Sequence, residues 1–373
     1  AAAAADGALH RELRRRAVTL RPAREERILL WNASARRCRG LAEHEQVLLE
    51  EREPWDPRWI LFGDGGSPIP YQLVQPEAIV EANDVQGLVF PVDVGPGEMT
   101  VVHIDRTGEP LVAVEPEGPR AASPRAAAIA SGDLVVDLAA GRSGAIVSGA
   151  LELSLPTPVL LPDDTDTWSH GIDRFPSEPA VEARWGEPSV LESGPLRAAL
   201  AREGRIGESR LTAEHRLHAG ASFVEMILRV EWAERHAVLK LVVTPPAPIA
   251  SRVDGAPGGR VRRPARCDER PCRDWSLLEL EGGGRLGLVC PEVFALDGTR
   301  HDVRLTLLRS PLLAHHDPEP PSSAARRVFS DRGEHSFGIR MLLGEGVTAE
   351  ALEDHAVMMH SPLLVAVTSA GMG

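Results

Sequence analysis

Short apolar or alternating runs, each closed after a few residues by Gly, Pro or Asp, fill almost the whole chain between its two ends. Ile28-Leu29-Leu30-Trp31, Leu88-Val89-Phe90-Pro91-Val92 and Thr100-Val101-Val102-His103-Ile104 are of this kind. The same texture returns in Leu134-Val135-Val136-Asp137-Leu138 and Leu151-Glu152-Leu153-Ser154-Leu155. From Phe223 to Trp232, Glu and Arg alternate with apolar residues, the pattern of a strand with one polar face. Turn residues such as Glu281-Gly282-Gly283-Gly284 stand between neighbouring runs, as in antiparallel meanders. Helical signals are confined to the ends. Residues 9–17, with Arg and Glu around Leu13, read as the last turns of a charged helix, and Thr348-Ala349-Glu350-Ala351-Leu352-Glu353 reads as a short helix capped by Thr348. Strands do not alternate with helices, which argues against a parallel α/β domain. The fold class is all-β.

The Pro/Gly/Ala-rich stretch 115–128 is the best domain boundary. The expected order is a helical or extended tail over residues 1–25, a small β-sandwich over 26–117, a large β-sandwich over 118–345, and a tail with a short helix over 346–373. The acidic balance, 54 Asp and Glu against 41 Lys and Arg for a formal charge of −13, argues against nucleic acid, whose phosphates demand a basic face. Lys240 is the only lysine and Tyr71 the only tyrosine, and the arginines are interspersed with acidic residues rather than gathered into a recognition surface. No apolar run approaches the roughly 18 residues of a membrane span, so no membrane partner is expected. The opening residues 1–6 lack an initiator Met and a basic-then-apolar signal layout. They read as the continuation of something longer, and the missing signal favours a cytoplasmic location. Cys38, Cys267, Cys272 and Cys290 are too few and too irregular for a disulfide framework; free thiols are expected, with a Cys267–Cys272 bridge left open.

Few clusters carry chemistry. His103-Ile104-Asp105 puts two metal-ligating types on one strand face, but Arg106-Thr107-Gly108 ends the strand at once, so a structural role is expected. His215 and His218, three apart on a strand, face opposite ways and make a poor metal pair. His315-His316-Asp317 lies in a loop without further convergent ligands. No phosphate-cradling loop or nucleophile elbow is present. The richest stretch is Asp163-Asp164-Thr165-Asp166-Thr167-Trp168-Ser169-His170-Gly171-Ile172-Asp173. An indole face stacks on the apolar side of a pyranose while carboxylates accept its hydroxyl protons, so this stretch is either a sugar-binding surface or an acidic loop around a buried tryptophan.

Several segments, in order, resemble the β-rich half that follows the catalytic domain in glycoside hydrolase family 38, the retaining α-mannosidases. Ile28-Leu29-Leu30-Trp31-Asn32 resembles the strand that opens the family's small β-domain, and Asp166-Thr167-Trp168-Ser169-His170-Gly171 resembles the Asp-Thr-Trp-x-His-Gly signature of bacterial members. Glu192-Ser193-Gly194-Pro195-Leu196-Arg197, Trp232-Ala233-Glu234-Arg235-His236-Ala237-Val238-Leu239-Lys240 and the loop from Arg263-Pro264 through Pro271 to Trp275 follow. Leu305-Thr306-Leu307-Leu308-Arg309-Ser310-Pro311 and Asp331-Arg332-Gly333-Glu334-His335-Ser336-Phe337 are similar to the last two.

The resemblance implies a small β-sandwich followed by a large antiparallel supersandwich of galactose-mutarotase-like type, with loops near a carbohydrate cleft. It nominates Asp166, Trp168, His170, Asp173 and Arg309 for contact with an α-mannoside. Trp232, Trp275 and Lys240 are expected to be structural, the lysine paired with a carboxylate such as Glu234, and Arg309 is expected in an ion pair. The family's His-x-His-x-Asp-type zinc motif and its α/β domain are not found here. The expectation is therefore a chain that supplies scaffold and cleft wall, with no catalytic residue and no cofactor of its own, zinc belonging to a catalytic domain absent from this chain. Cys290-Pro291-Glu292 replaces a more polar turn, and the segment 360–373 stops where relatives often continue. Two alternatives stay open: a stand-alone mutarotase-like sugar-modifying enzyme using His170, Asp166 and His215, and a non-catalytic assembly module forming homo-oligomers.

Overall fold

The computed structural model describes residues 2–18, 26–47, 55–76, 85–106, 118–121, 127–139, 144–149, 151–169, 172–316, 320 and 327–368. Most of the boundary stretch 115–128 therefore lies outside the described residues, as do His170 and Asp317. The described chain is all-β, with 29 strands and two helices, and every strand pairing given a register is antiparallel. It divides into two compact units, one of Ala1–Pro119, Gly194–Arg197 and Val357–Gly373, the other of Arg120–Ser193 and Ala198–Ala356. No helix among the described residues is long and apolar enough to cross a membrane.

The first unit has a five-stranded and a three-stranded sheet. In the five-stranded sheet, Glu26–Trp31 lies between Met99–Asp105 and the C-terminal strand Leu364–Thr368. Its unbroken apolar run follows from burial on both faces. Ile28 and Leu30 meet Phe90, Leu88 and Ile104, whereas Leu29 and Trp31 pack with Leu364 and with Leu13 of the helix Ala2–Val18. The N-terminal helix and residues 364–368 are thus parts of this unit's packing.

Asn32, which follows the run, is 1% exposed. Its side-chain amide donates to the carbonyls of Arg36, Val94 and Gly95 at 2.7, 3.0 and 3.0 Å, while its oxygen accepts from the backbone and hydroxyl of Ser34. Gln72 does similar work. Its oxygen accepts the N–H groups of Leu196 and Arg197 and its nitrogen donates to the Arg197 carbonyl, so one side chain mimics a strand edge. A Cβ on Gly194 would stand 2.2 Å from that amide, which explains the glycine before Pro195. Leu196 then fills an apolar site with Val74 and Val89, and Arg197 pairs with Glu43 at 2.6 Å.

The second unit holds a meander of five short strands (residues 120–154), a six-stranded sheet and a ten-stranded sheet. Their apolar faces share one core. Along Phe223–Trp232, Val224, Met226, Leu228, Val230 and Trp232 enter it, and across it stand Leu239, Leu241 and Val243 of Ala237–Val243. The triple glycine forms the hairpin turn between Trp275–Leu280 and Arg285–Val289, with Gly282 and Gly283 at φ +90° and +96°, where a side chain would be strained. Thr348 caps the helix Ala349–His360, its hydroxyl accepting the Ala351 N–H at 3.2 Å.

His215 and His218 diverge as their spacing requires. His218 faces Glu225 at 3.6 Å, while His215 is fully buried and neither of its ring nitrogens has a hydrogen-bond partner. Burial, with Arg202 nearby, pushes the His215 pKa down to about 3.

Two outcomes follow for stability. Asn32→Leu strands buried carbonyls and is expected to destabilise the chain by about 2–3 kcal/mol in urea unfolding. His215 has a folded pKa below its unfolded value, so its contribution is complete above about pH 6.5. It is lost as pH falls from there toward 3, because the unfolded chain binds a proton that the folded one refuses. Stability should therefore drop on acidification, and His215→Phe should flatten the profile between pH 6.5 and 4 by about 1.4 kcal/mol per pH unit.

Candidate functional site

Residues 163–175 follow the strand Thr157–Pro162 and are held at both ends by buried groups. Asp163, 1% exposed, donates its N–H to the His236 carbonyl, and its carboxylate accepts the Thr165 hydroxyl at 2.6 Å and the Arg309 Nε at 2.9 Å. Arg309, at the end of Val303–Arg309, spreads its remaining donors over the Thr165 and Ser169 hydroxyls and the Asp166 carbonyl. A planar guanidinium with five fixed donors suits such multiple anchorage, where an ammonium does not. Ser169 takes φ +58°, and Asp166 accepts the Trp168 N–H at 3.0 Å, closing a tight turn.

At the far end, Phe175 is buried with Leu161 and Val238. Lys240 Nζ lies 4.9 Å and Arg309 Cζ 5.1 Å from its ring centroid, so two cations flank one benzene ring. Lys240 is fully buried and bonded to Glu269 and Thr306, with Asp297 at 3.4 Å and Arg304 on Asp297 in turn. The expected Glu234 partner is a correction. Glu234 instead accepts the N–H groups of Glu208 and Ser209 and the Ser209 hydroxyl, closing the turn at Gly207, whose φ is +55°. The strand register places Lys240 beside Thr306 and within reach of the next strands' carboxylates, which sequence distance hides.

What this anchored segment offers is Trp168. Its side chain is 56% exposed, with the His316 ring 5.6 Å away at a 54° tilt, and Thr167 is tied to the Leu312 and His315 carbonyls. Of the five nominated residues, Trp168 and Asp173 are exposed, and the Asp173 carbonyl accepts the Glu269 N–H. Asp166 is 1% exposed and turned into its own loop. Arg309 is in the expected ion pair and engaged by the loop, and His170 lies outside the described residues. Residues that sequence reasoning missed include Asp163, Ser169 and Phe175 as anchors and His316 as the neighbour of Trp168. Only the Asp163-x-Thr165 spacing carried a local signal, that of a side chain bonding two residues on.

The other clusters are structural. His103 bonds to Asp64 at 3.0 Å and stacks on Phe62, Trp232 donates to the Ser310 hydroxyl within the core, and Trp275 is 5% exposed. The four cysteines are free, Cys267 accepting from Arg252 and Cys272 donating to the Trp275 carbonyl. Among the described residues no group of three or more His, Cys, Asp or Glu side chains is placed to hold a metal ion.

Residues 161–319 match the family model of the glycosyl hydrolases family 38 C-terminal domain. The family resemblance is borne out. The matched family 38 stretch contains the anchored loop, Lys240, Arg309 and Trp168. The fold is similar to that of a protein in glycosyl hydrolase family 38 from Enterococcus faecalis, with TM-score 0.72 and 11% identity over 94% of this chain and 48% of that one. It is equally similar to an alpha-mannosidase from Enterococcus faecalis V583, with TM-score 0.73 and 10% identity over 95% of this chain and 47% of that one. At such identities the likeness is one of fold, and this chain spans about half the length of those two. No curated protein sequence matches it.

Lys240→Met removes the cation from the buried Asp297 carboxylate and from the partly buried Glu269 carboxylate. It is expected to destabilise the second unit by about 3–5 kcal/mol in thermal or urea unfolding, far more than an exposed lysine would.

Proposed function

We propose that this chain is the C-terminal β-sandwich portion of an α-mannosidase-like glycosidase, that it forms scaffold and part of a carbohydrate cleft, and that hydrolysis and zinc belong to a catalytic domain outside these residues. The observation that carries the reading is the exposure of Trp168 on a segment otherwise locked by Arg309 and Phe175, within the stretch matched to the family model. An indole at an immobilised loop tip is preorganised for a flat apolar face, and the apolar face of a mannopyranose is such a surface. Asp173, exposed on the same segment, supplies a carboxylate for sugar hydroxyls. Asp166 and Arg309 act through this arrangement by holding the loop.

The mutarotase-like alternative is less well supported. It requires a convergent acid and base, whereas Asp166 is engaged in its turn and His215 is sealed in the core.

The purified chain supplied with zinc should not hydrolyse p-nitrophenyl α-mannoside above buffer. Saturation-transfer NMR with mannose-terminated oligosaccharides should show binding that weakens about tenfold in Trp168→Ala. Zinc-dependent turnover by the chain, or binding indifferent to Trp168, overturns the reading.

A further inference from the structure

The alternation that sends Val224, Met226 and Leu228 into the core turns Phe223 and Glu225 to the opposite face of the ten-stranded sheet. Arg340, between the core residues Ile339 and Met341, shares that face, as does Gly287 between Leu286 and Leu288. The helix Ala349–His360 is seated there by Leu352, which is fully buried. A Cβ on Gly287 would stand 2.4 Å from Leu352 Cδ2 and 2.9 Å from Val347 Cγ1, so both side chains rest on bare backbone.

Beside this apolar seat is a compact polar set. Arg340 Nε donates to Glu225 at 2.9 Å, and Arg340 Nη1 donates to His355 Nδ1 on the helix at 3.3 Å. His218 lies 3.6 Å from the other Glu225 oxygen. The Phe223 ring meets the rings of His355 and His218 at centroid distances of 5.0 and 5.3 Å, and the Arg340 guanidinium stands 4.7 Å from its centroid. Glu350 and Glu353 of the same helix pair instead with Arg260, at 2.6 and 2.8 Å on the exposed side.

A guanidinium only donates, so the Arg340–His355 bond exists while Nδ1 is unprotonated. A proton there replaces the acceptor by a second cation facing Arg340, whose carboxylate partner Glu225 is already shared with His218. We propose that His355 is an acid-released latch: its neutral ring ties the helix to the sheet through Arg340, and protonation lets the helix lift and uncover Phe223. Burial, and after it Arg340, pushes the His355 pKa down to about 4 against the pull of Glu225. Burial alone would raise Glu225, but His218 and Arg340 hold it below the usual carboxylate range, so it stays ionised. The folded pKa of His355 lies below its free value, so the latch is complete above about pH 6.5 and weakens as pH falls toward 4. A proton on His218 acts the other way, since it strengthens a pair within the sheet.

Hydrogen–deuterium exchange of the whole chain, corrected for intrinsic rates, tests the latch. Between about pH 7.5 and about pH 5, opening of residues 349–356 should rise about thirtyfold while the amides of Phe223–Trp232 stay protected. His355→Gln accepts from Arg340 but takes no proton, and should cut the rise below about threefold. His218→Gln should leave the rise in place. A full rise in His355→Gln overturns the latch, as does its loss in His218→Gln. Equal loss of protection in Phe223–Trp232 also overturns it, because acid then unfolds the sheet rather than freeing the helix. A second measurement needs no variant: the His355 ring should titrate by NMR well below about pH 6.5, and titration at or above that value overturns the proposal.

Discussion

The contact of one aromatic ring, that of Phe175, with both Lys240 and Arg309 is the interaction on which the base of the Trp168 loop rests. Each cation also serves a second partner set: Lys240 the carboxylates of Glu269 and Asp297, Arg309 the carboxylate of Asp163 and the hydroxyls of Thr165 and Ser169. Charged groups at such depth are tolerated only when paired and hydrogen-bonded. One aromatic side chain thereby links a buried ionic cluster in the six-stranded sheet to the base of the Trp168 loop. Apolar packing alone fixes no unique loop path, whereas directional bonds from a planar guanidinium do.

The first unit solves its junctions differently. There, neutral amides act where charges act in the second: Asn32 gathers three carbonyls and Gln72 completes a backbone edge. Both amides satisfy donors and acceptors with one short side chain, which suits corners where the chain leaves a strand and the ladder cannot. The residues that looked like family signatures are largely these joints. Asn32, Glu234, Arg309 and Asp331 each complete a hydrogen-bond set that the local backbone leaves open, and Gly194 leaves the space in which Gln72 does so.

The strands were legible because the period-two pattern and the Gly/Pro punctuation are local properties of the chain; Phe223–Trp232 and the triple-glycine hairpin stand where that pattern placed them. Pairing across long separations was not legible. Nothing near Lys240 indicated Glu269 or Asp297, because register and sheet order bring them together. The candidate site divided along the same line. Trp168 was visible as an indole in a polar stretch, but the inward turn of Asp166 depends on its bond to the Trp168 N–H.

The pairing of Glu26–Trp31 with Leu364–Thr368 has a consequence for biosynthesis. At roughly 5–20 residues per second, the earlier strand leaves the ribosome tens of seconds before its partner exists. During that interval Leu29 and the edge of its sheet lack their final cover, while the intervening unit has all its own strands and is free to condense. Residues 120–356 can therefore condense before that sheet is completed, and Glu26–Trp31 is the strand that waits longest for its partner.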